Sequence, residues 1–115
     1  MQEGHNSVCC FKFTDTKIFA GYEDGLVCSY SMENGDLMSV MVGHVNRINS
    51  IELVGETLFT ASNDCTVRQW DFNIGSELQV YKFADPVFSI AFIPELEILV
   101  AGCWDHMVRF LDLKQ

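Results

Sequence analysis

The sequence is poor in basic residues: it has 7 lysines and arginines against 16 aspartates and glutamates, and its net charge is −9. Nucleic-acid-binding proteins normally carry a basic patch that neutralises phosphates, so we predict no nucleic-acid partner. If charge selects a partner at all, it favours a basic protein. Long apolar runs are also missing: the longest, around Val87–Ile93, ends at Pro94. It is too short to span a bilayer, so we predict no membrane partner.

A signal peptide and a cysteine framework are also absent. The first ten residues, MQEGHNSVCC, lack a basic region followed by an apolar run. The five cysteines form neither an even disulfide framework nor a metal-binding spacing; they are Cys9, Cys10, Cys28, Cys65 and Cys103. We therefore expect reduced thiols in an intracellular protein, cytoplasmic or nuclear, with no cofactor and no metal.

The chain does contain an internal repeat. Asp24, Asp64 and Asp105 are separated by steps of 40 and 41 residues. A valine follows each of them three residues later, at positions 27, 67 and 108. This step predicts a single array, residues 1–115, of three units at about 4–42, 43–83 and 84–115.

Within each unit the apolar residues recur with a period of two. Short apolar runs rich in Val, Ile, Phe and Tyr alternate with turn residues such as the Asp-Gly at 24–25 and the Asn-Gly at 34–35. This pattern predicts an all-β chain of short antiparallel strands. The first two units have four apolar runs each and the third has three, so the third unit is expected to lack its outer strand.

The second unit has a Gly-His pair at 43–44 and the segment FTASNDCTVRQWD, which ends in Trp70-Asp71. With three units in register, the chain resembles the WD40 repeat, the four-stranded blade of a β-propeller. The resemblance implies a partial β-propeller of three blades. The first unit departs from it with Tyr30-Ser31 in place of Trp-Asp, and the third with Leu111-Asp112. A propeller closes with about four to eight blades. We therefore expect further blades of a longer protein, or a second copy, to complete the ring.

The resemblance also implies a hydrogen-bonded tetrad in the second unit. By position its members are His44, Thr60, Asp64 and Trp70. The other units retain only partial tetrads, whose members are His5, Asp24, Tyr30 and Asp105. A Thr–His–Asp chain also resembles a nucleophilic triad, but the sequence has no strained nucleophile turn. We therefore interpret these residues as structural.

The function that the resemblance implies is a non-enzymatic scaffold that presents loops to other proteins in a larger complex. The candidate partner-binding residues precede the first strand or the turn aspartate of each unit; they are Ser7, Glu23, Arg47, Asn63, Pro86 and Trp104. One alternative is a propeller that recognises substrates or phosphopeptides in a ubiquitin-ligase-type complex, which requires clustered arginines near Arg47. A more distant alternative is a propeller enzyme or metal binder, which requires converging His, Cys and carboxylate groups.

Overall fold

Eleven strands and the turns between them form residues 6–114, the part of the chain that the computed structural model describes. The first four strands are β1 Val8–Phe13, β2 Lys17–Tyr22, β3 Val27–Ser31 and β4 Leu37–Met41. The next four are β5 Ile48–Val54, β6 Thr57–Ser62, β7 Thr66–Asp71 and β8 Ser76–Lys82. The last three are β9 Val87–Ile93, β10 Ile98–Cys103 and β11 Val108–Asp112. The described part of the chain has no helix with the length and apolarity needed to cross a membrane.

The strands form three antiparallel sheets of consecutive strands. Their orders are β1-β2-β3-β4, β5-β6-β7-β8 and β11-β10-β9, called here the first, second and third sheets. The first strands of neighbouring sheets, β1, β5 and β9, contact one another along the array. The sheets therefore radiate from these strands as the blades of an unclosed propeller do. The predicted all-β partial propeller, with four, four and three strands, is confirmed.

Two apolar layers hold the sheets together. Because successive side chains of a strand point to opposite faces, the middle sheet contributes to both layers. Leu58 of β6 packs toward the first sheet, and its neighbour Phe59 packs toward the third. Trp70 lies in the first layer with Phe19, and both are fully or almost fully buried. Each large buried side chain of this kind contributes about 1.5–3 kcal/mol relative to an exposed one.

A β-bulge near the start of the first strand recurs in all three sheets. In each case one residue is left without a partner on the second strand, between Val8 and Cys10, between Ile48 and Ser50, and between Val87 and Ser89. A bulge bends the strand and redirects the side chain of the extra residue. The bulged residues are Cys9, Asn49 and Phe88.

Candidate functional site

Four side chains of the second sheet form one hydrogen-bonded chain. His44 comes from the β4–β5 loop; its Nδ1 lies 2.8 Å from Asp64 Oδ2 and its Nε2 lies 2.6 Å from Thr60 Oγ1. Trp70 Nε1 donates to Thr60 Oγ1 at 2.9 Å. With the proton of His44 on Nδ1, Trp70 donates to Thr60, Thr60 to His44, and His44 to Asp64. The structure thus brings the four predicted tetrad residues together, and each of these donors meets an acceptor.

Thr66 is a further member that the sequence interpretation missed. Its Oγ1 donates to Asp64 Oδ1 at 2.6 Å and lies 3.1 Å from His44 Nδ1. Asp64 Oδ1 also accepts the Thr66 backbone N–H at 3.0 Å, and Oδ2 accepts that of Val45 at 3.1 Å. The sequence does contain an indication of this role: a hydroxyl residue stands two residues after the turn aspartate, where the other units have Leu26 and Met107.

The Asp64 carboxylate is nearly inaccessible to solvent, with 4% of its side chain exposed. Burial alone would raise its pKa, because it disfavours the charged form. The hydrogen bonds that the carboxylate accepts from His44, Thr66 and the Val45 N–H together outweigh burial. They hold the pKa of Asp64 well below its usual range.

Close packing explains the glycine that precedes His44. A Cβ at Gly43 would lie 2.8 Å from Cη2 of Trp70 and 2.8 Å from Oε1 of Glu77, closer than real Cβ atoms come. Glycine therefore lets the loop approach the Trp70 ring, and this approach delivers His44 to the tetrad.

The six candidate partner-binding residues lie at one end of the sheets as three equivalent pairs. Each pair is joined by a backbone hydrogen bond: Glu23 N–H donates to Ser7 O at 2.9 Å, Asn63 to Arg47 O at 3.0 Å and Trp104 to Pro86 O at 2.9 Å. We call this end the loop face. Ser7, Glu23, Arg47 and Trp104 are exposed there, whereas Asn63 and Pro86 are half-buried.

Two depressions lie on the loop face. The one between the first and second sheets is about 400 Å³, and its lining residues are Glu23, Asp24, Asn46, Arg47 and Asn63. The one between the second and third sheets is about 500 Å³, and its lining residues are Asn46, Asn63, Asp85, Pro86, Phe88 and Trp104. Five of the six candidate residues, all except Ser7, therefore line a depression.

Two segments of the chain match a known family. Residues 35–71 and 75–112, together more than half of the chain, match the family model described as "WD domain, G-beta repeat". The chain belongs to the WD40 repeat family. Domains of this family typically act as scaffolds for protein–protein interactions and are in general not catalytic.

Individual WD40 relatives are similar to most of the chain but are much longer than it. Protein groucho of Drosophila melanogaster is 30% identical over 100 residues, which are 84% of this chain and 14% of groucho. The WD40 β-propeller domain of Doa1 has a TM-score of 0.80 at 25% identity, covering 92% of this chain and 35% of that one. A chain of the Mitotic Checkpoint Complex has a TM-score of 0.92 at 19% identity, covering 99% and 36%. At this identity, the last comparison shows the fold alone.

The first and third WD40 units keep only part of the tetrad geometry. In every unit Oδ1 of the turn aspartate accepts a backbone N–H two residues later at 3.0 Å, for Asp24, Asp64 and Asp105 alike. Tyr30, at the position of Trp70, instead makes a hydroxyl–hydroxyl hydrogen bond with Tyr22. Asp105 pairs with Arg109 at 2.6 Å. His5 lies outside the described residues.

The remaining titratable groups of residues 6–114 form neither a metal site nor an anion site. Within residues 6–114, no group of three or more His, Cys, Asp or Glu side chains is arranged to hold a metal ion. Arg68 pairs with Glu77 at 2.8 Å and lies 4.0 Å from Asp64 Oδ2. Arg47 Nε lies 3.2 Å from Cys9 Sγ, at the rim of the loop face. The described arginines therefore do not converge on one point.

Proposed function

We propose that this chain forms part of a non-enzymatic WD40 scaffold that binds other proteins through its loop face, within a larger complex. The observation that supports this most is the repetition of one pair geometry in all three sheets, which aligns the exposed Glu23, Arg47 and Trp104 along one end. Tryptophan and arginine dominate binding energy at protein interfaces. Trp104 is 62% exposed, although a ring of its size is usually well covered.

The buried position of the tetrad supports a scaffold over an enzyme. Thr60 is fully buried, and its hydroxyl is shared between His44 and Trp70. A nucleophile must reach its substrate, and this hydroxyl has no open side. The tetrad instead supports the loop from which His44 comes, and so helps to hold the loop face in one shape.

The charge distribution favours a protein partner over a phosphopeptide. Recognition of a phosphate needs clustered and available guanidinium groups. Arg68 and Arg109 are already paired with Glu77 and Asp105, which leaves Arg47 as the arginine of the loop face. No observation favours the ubiquitin-ligase-type phosphopeptide reader, so the general protein scaffold is the function we propose.

The compartment and the completed ring are part of the same proposal. All five cysteines have free thiols, and burial raises the pKa of Cys10 to about 11, which keeps that thiol protonated. Free thiols support an intracellular location, cytoplasmic or nuclear. Further blades of the same protein, or a second copy, would complete the ring.

A pull-down with two single-site variants tests this function. Trp104→Ala and Arg47→Ala should each reduce capture of the partners that the wild type retains, because each removes one anchor of the loop face. Ile74→Ala is a matched control, because Ile74 is 74% exposed in the β7–β8 turn, at the opposite end of the sheets. Capture that stays unchanged in both loop-face variants, with thermal unfolding like that of the wild type, would contradict the proposal.

A further inference from the structure

The depression between the second and third sheets contains two aromatic rings where the preceding repeat has two amides. In the second sheet, the bulged Asn49 donates to Asn63 Oδ1 at 2.8 Å and to Val87 O at 3.0 Å. In the third sheet the bulged residue is Phe88, and the residue before the turn aspartate is Trp104. The third repeat thus has two aromatic rings at the positions where the second repeat has two amides that are hydrogen-bonded to each other.

Both rings are open to solvent. Trp104 is 62% exposed and Phe88 is 46% exposed, and the half-buried Pro86, two residues before Phe88, lines the same depression. Their aromatic faces therefore offer apolar area, together with the negative potential that lies over the face of an aromatic ring.

The charge at this depression is negative. Asp85 is the sole ionisable residue among those lining it, and no hydrogen bond or ion pair joins its carboxylate to another residue in 6–114. The neighbouring depression adds two carboxylates, Glu23 and Asp24, against one arginine, Arg47, and the whole chain carries −9. Among the residues that the structure describes, no lysine or arginine lines the Trp104 depression. An incoming cation therefore meets a carboxylate with no competing partner.

We propose that the depression formed by Asp85, Pro86, Phe88 and Trp104 binds a single arginine side chain of a protein partner. The guanidinium is planar, stacks on aromatic faces and pairs with a carboxylate through two parallel hydrogen bonds. A lysine ammonium is more strongly hydrated and makes a point contact, so it is expected to bind more weakly. This proposal rests on the proposed function, for which it names the chemistry of the recognised residue.

The two tryptophans of the chain make the test direct. The Trp104 ring is exposed at the depression, whereas Trp70 is buried in the tetrad. The probe is a nine-residue Gly/Ser peptide with one central arginine, titrated into the ¹⁵N-labelled protein. The indole N–H resonance of Trp104 should shift saturably while that of Trp70 stays fixed. Matched peptides carry lysine, norleucine or citrulline at the central position; citrulline is a neutral isostere of arginine.

Two protein variants separate the carboxylate from general charge. Asp85→Asn should weaken arginine-peptide binding about two- to fivefold, the range of an exposed ion pair. Asp15→Asn should leave it unchanged, because the exposed Asp15 lies in the β1–β2 turn at the opposite end of the sheets. Both variants lose the same formal charge, so a difference between them reports the position of the carboxylate.

The results of the peptide titration and of the partner capture distinguish the arginine site from the proposed function. If citrulline or norleucine shifts Trp104 as strongly as arginine, or if no peptide shifts it, the arginine site is wrong. If partner capture falls in Trp104→Ala but stays at the wild-type level in Asp85→Asn, the loop face binds partners and the arginine site is again wrong. If capture falls in both variants and the titration selects arginine, both proposals hold.

Discussion

The charged form of Asp64 is stabilised by the groups around it. It accepts hydrogen bonds from two side chains and two backbone groups, although its side chain is nearly buried. Asp24 occupies the same turn position in the first repeat but is exposed. The turn itself therefore needs only the contact from Oδ1 to the backbone, and the remaining contacts of Asp64 connect the turn to the His44 loop.

We predict that Asp64→Asn lowers the free energy of unfolding at pH 7 by about 1–3 kcal/mol, because buried donors lose their charged acceptor. Because the folded-state pKa of Asp64 is depressed, its contribution is fully present above the unfolded-state pKa, near 4. It is lost as the pH falls below that value toward the folded-state pKa. The difference between wild type and variant should thus shrink from pH 7 to pH 3 in denaturant titrations.

Asp24→Asn serves as the matched control for that measurement. It makes the same change at the same turn position, in a repeat where the carboxylate is exposed. Its effect should stay within about 0.5 kcal/mol, as for most surface changes. Equal losses in the two variants, or a difference for Asp64→Asn that does not vary with pH, would show that the tetrad contacts do not stabilise the charged form.

The tight turn after the second strand of each sheet requires a residue with a left-handed backbone conformation. The backbone φ is 97° at Gly25, 71° at Cys65 and 68° at His106. Only glycine adopts this region without a steric cost from a side chain. At Gly25 a Cβ would also lie 2.5 Å from His44 O, whereas the exposed His106 has room for its side chain.

We predict that His106→Gly raises the free energy of unfolding by up to about 1 kcal/mol, because it relieves the left-handed strain in this turn. Met107→Gly is the control, since Met107 is the next residue, is also exposed and does not have a positive φ. It should lower the stability, by about 0.5–1 kcal/mol, because glycine adds freedom to the unfolded chain. Thermal or denaturant unfolding that shows the same change for both would contradict the role of φ.

The elements could be predicted from the sequence to the extent that their pattern is local. A period of two and the turn residues identified all eleven strands, because alternate burial and tight turns leave a direct trace in the residue types. The residue types do not predict the bulges: Asn49 and Phe88 occupy equivalent bulge positions but differ in size and polarity. Nor did the sequence interpretation find the Tyr22–Tyr30 contact, which depends on how two strands align. The residues that the resemblance assigned to the loop face do lie together, but whether they bind partners stays a prediction.

Within residues 6–114, no other sheet covers the apolar face of the first sheet that points away from the second. Phe11 and Phe13 are 65% and 62% exposed. Their equivalents in the second sheet are Ile51, which is buried, and Leu53, which packs against the layer shared with the first sheet. In the second sheet this surface is covered by the first sheet. The equivalent surface of the first sheet is exposed. An apolar surface of this kind favours association in water.

We predict that the 115-residue chain on its own self-associates as its concentration rises, and that Phe11→Glu with Phe13→Glu shifts it toward the monomer. Charges on this face would have to be desolvated in any contact that buries it. Light scattering after size exclusion, over a range of loading concentrations, measures the change in mean mass. The control carries Ile74→Glu in the β7–β8 turn and Leu78→Glu in β8, two exposed apolar positions. It should behave like the wild type, because these positions lie outside the uncovered face. A wild-type chain that stays monomeric at every concentration would show that the Phe11–Phe13 face does not drive assembly.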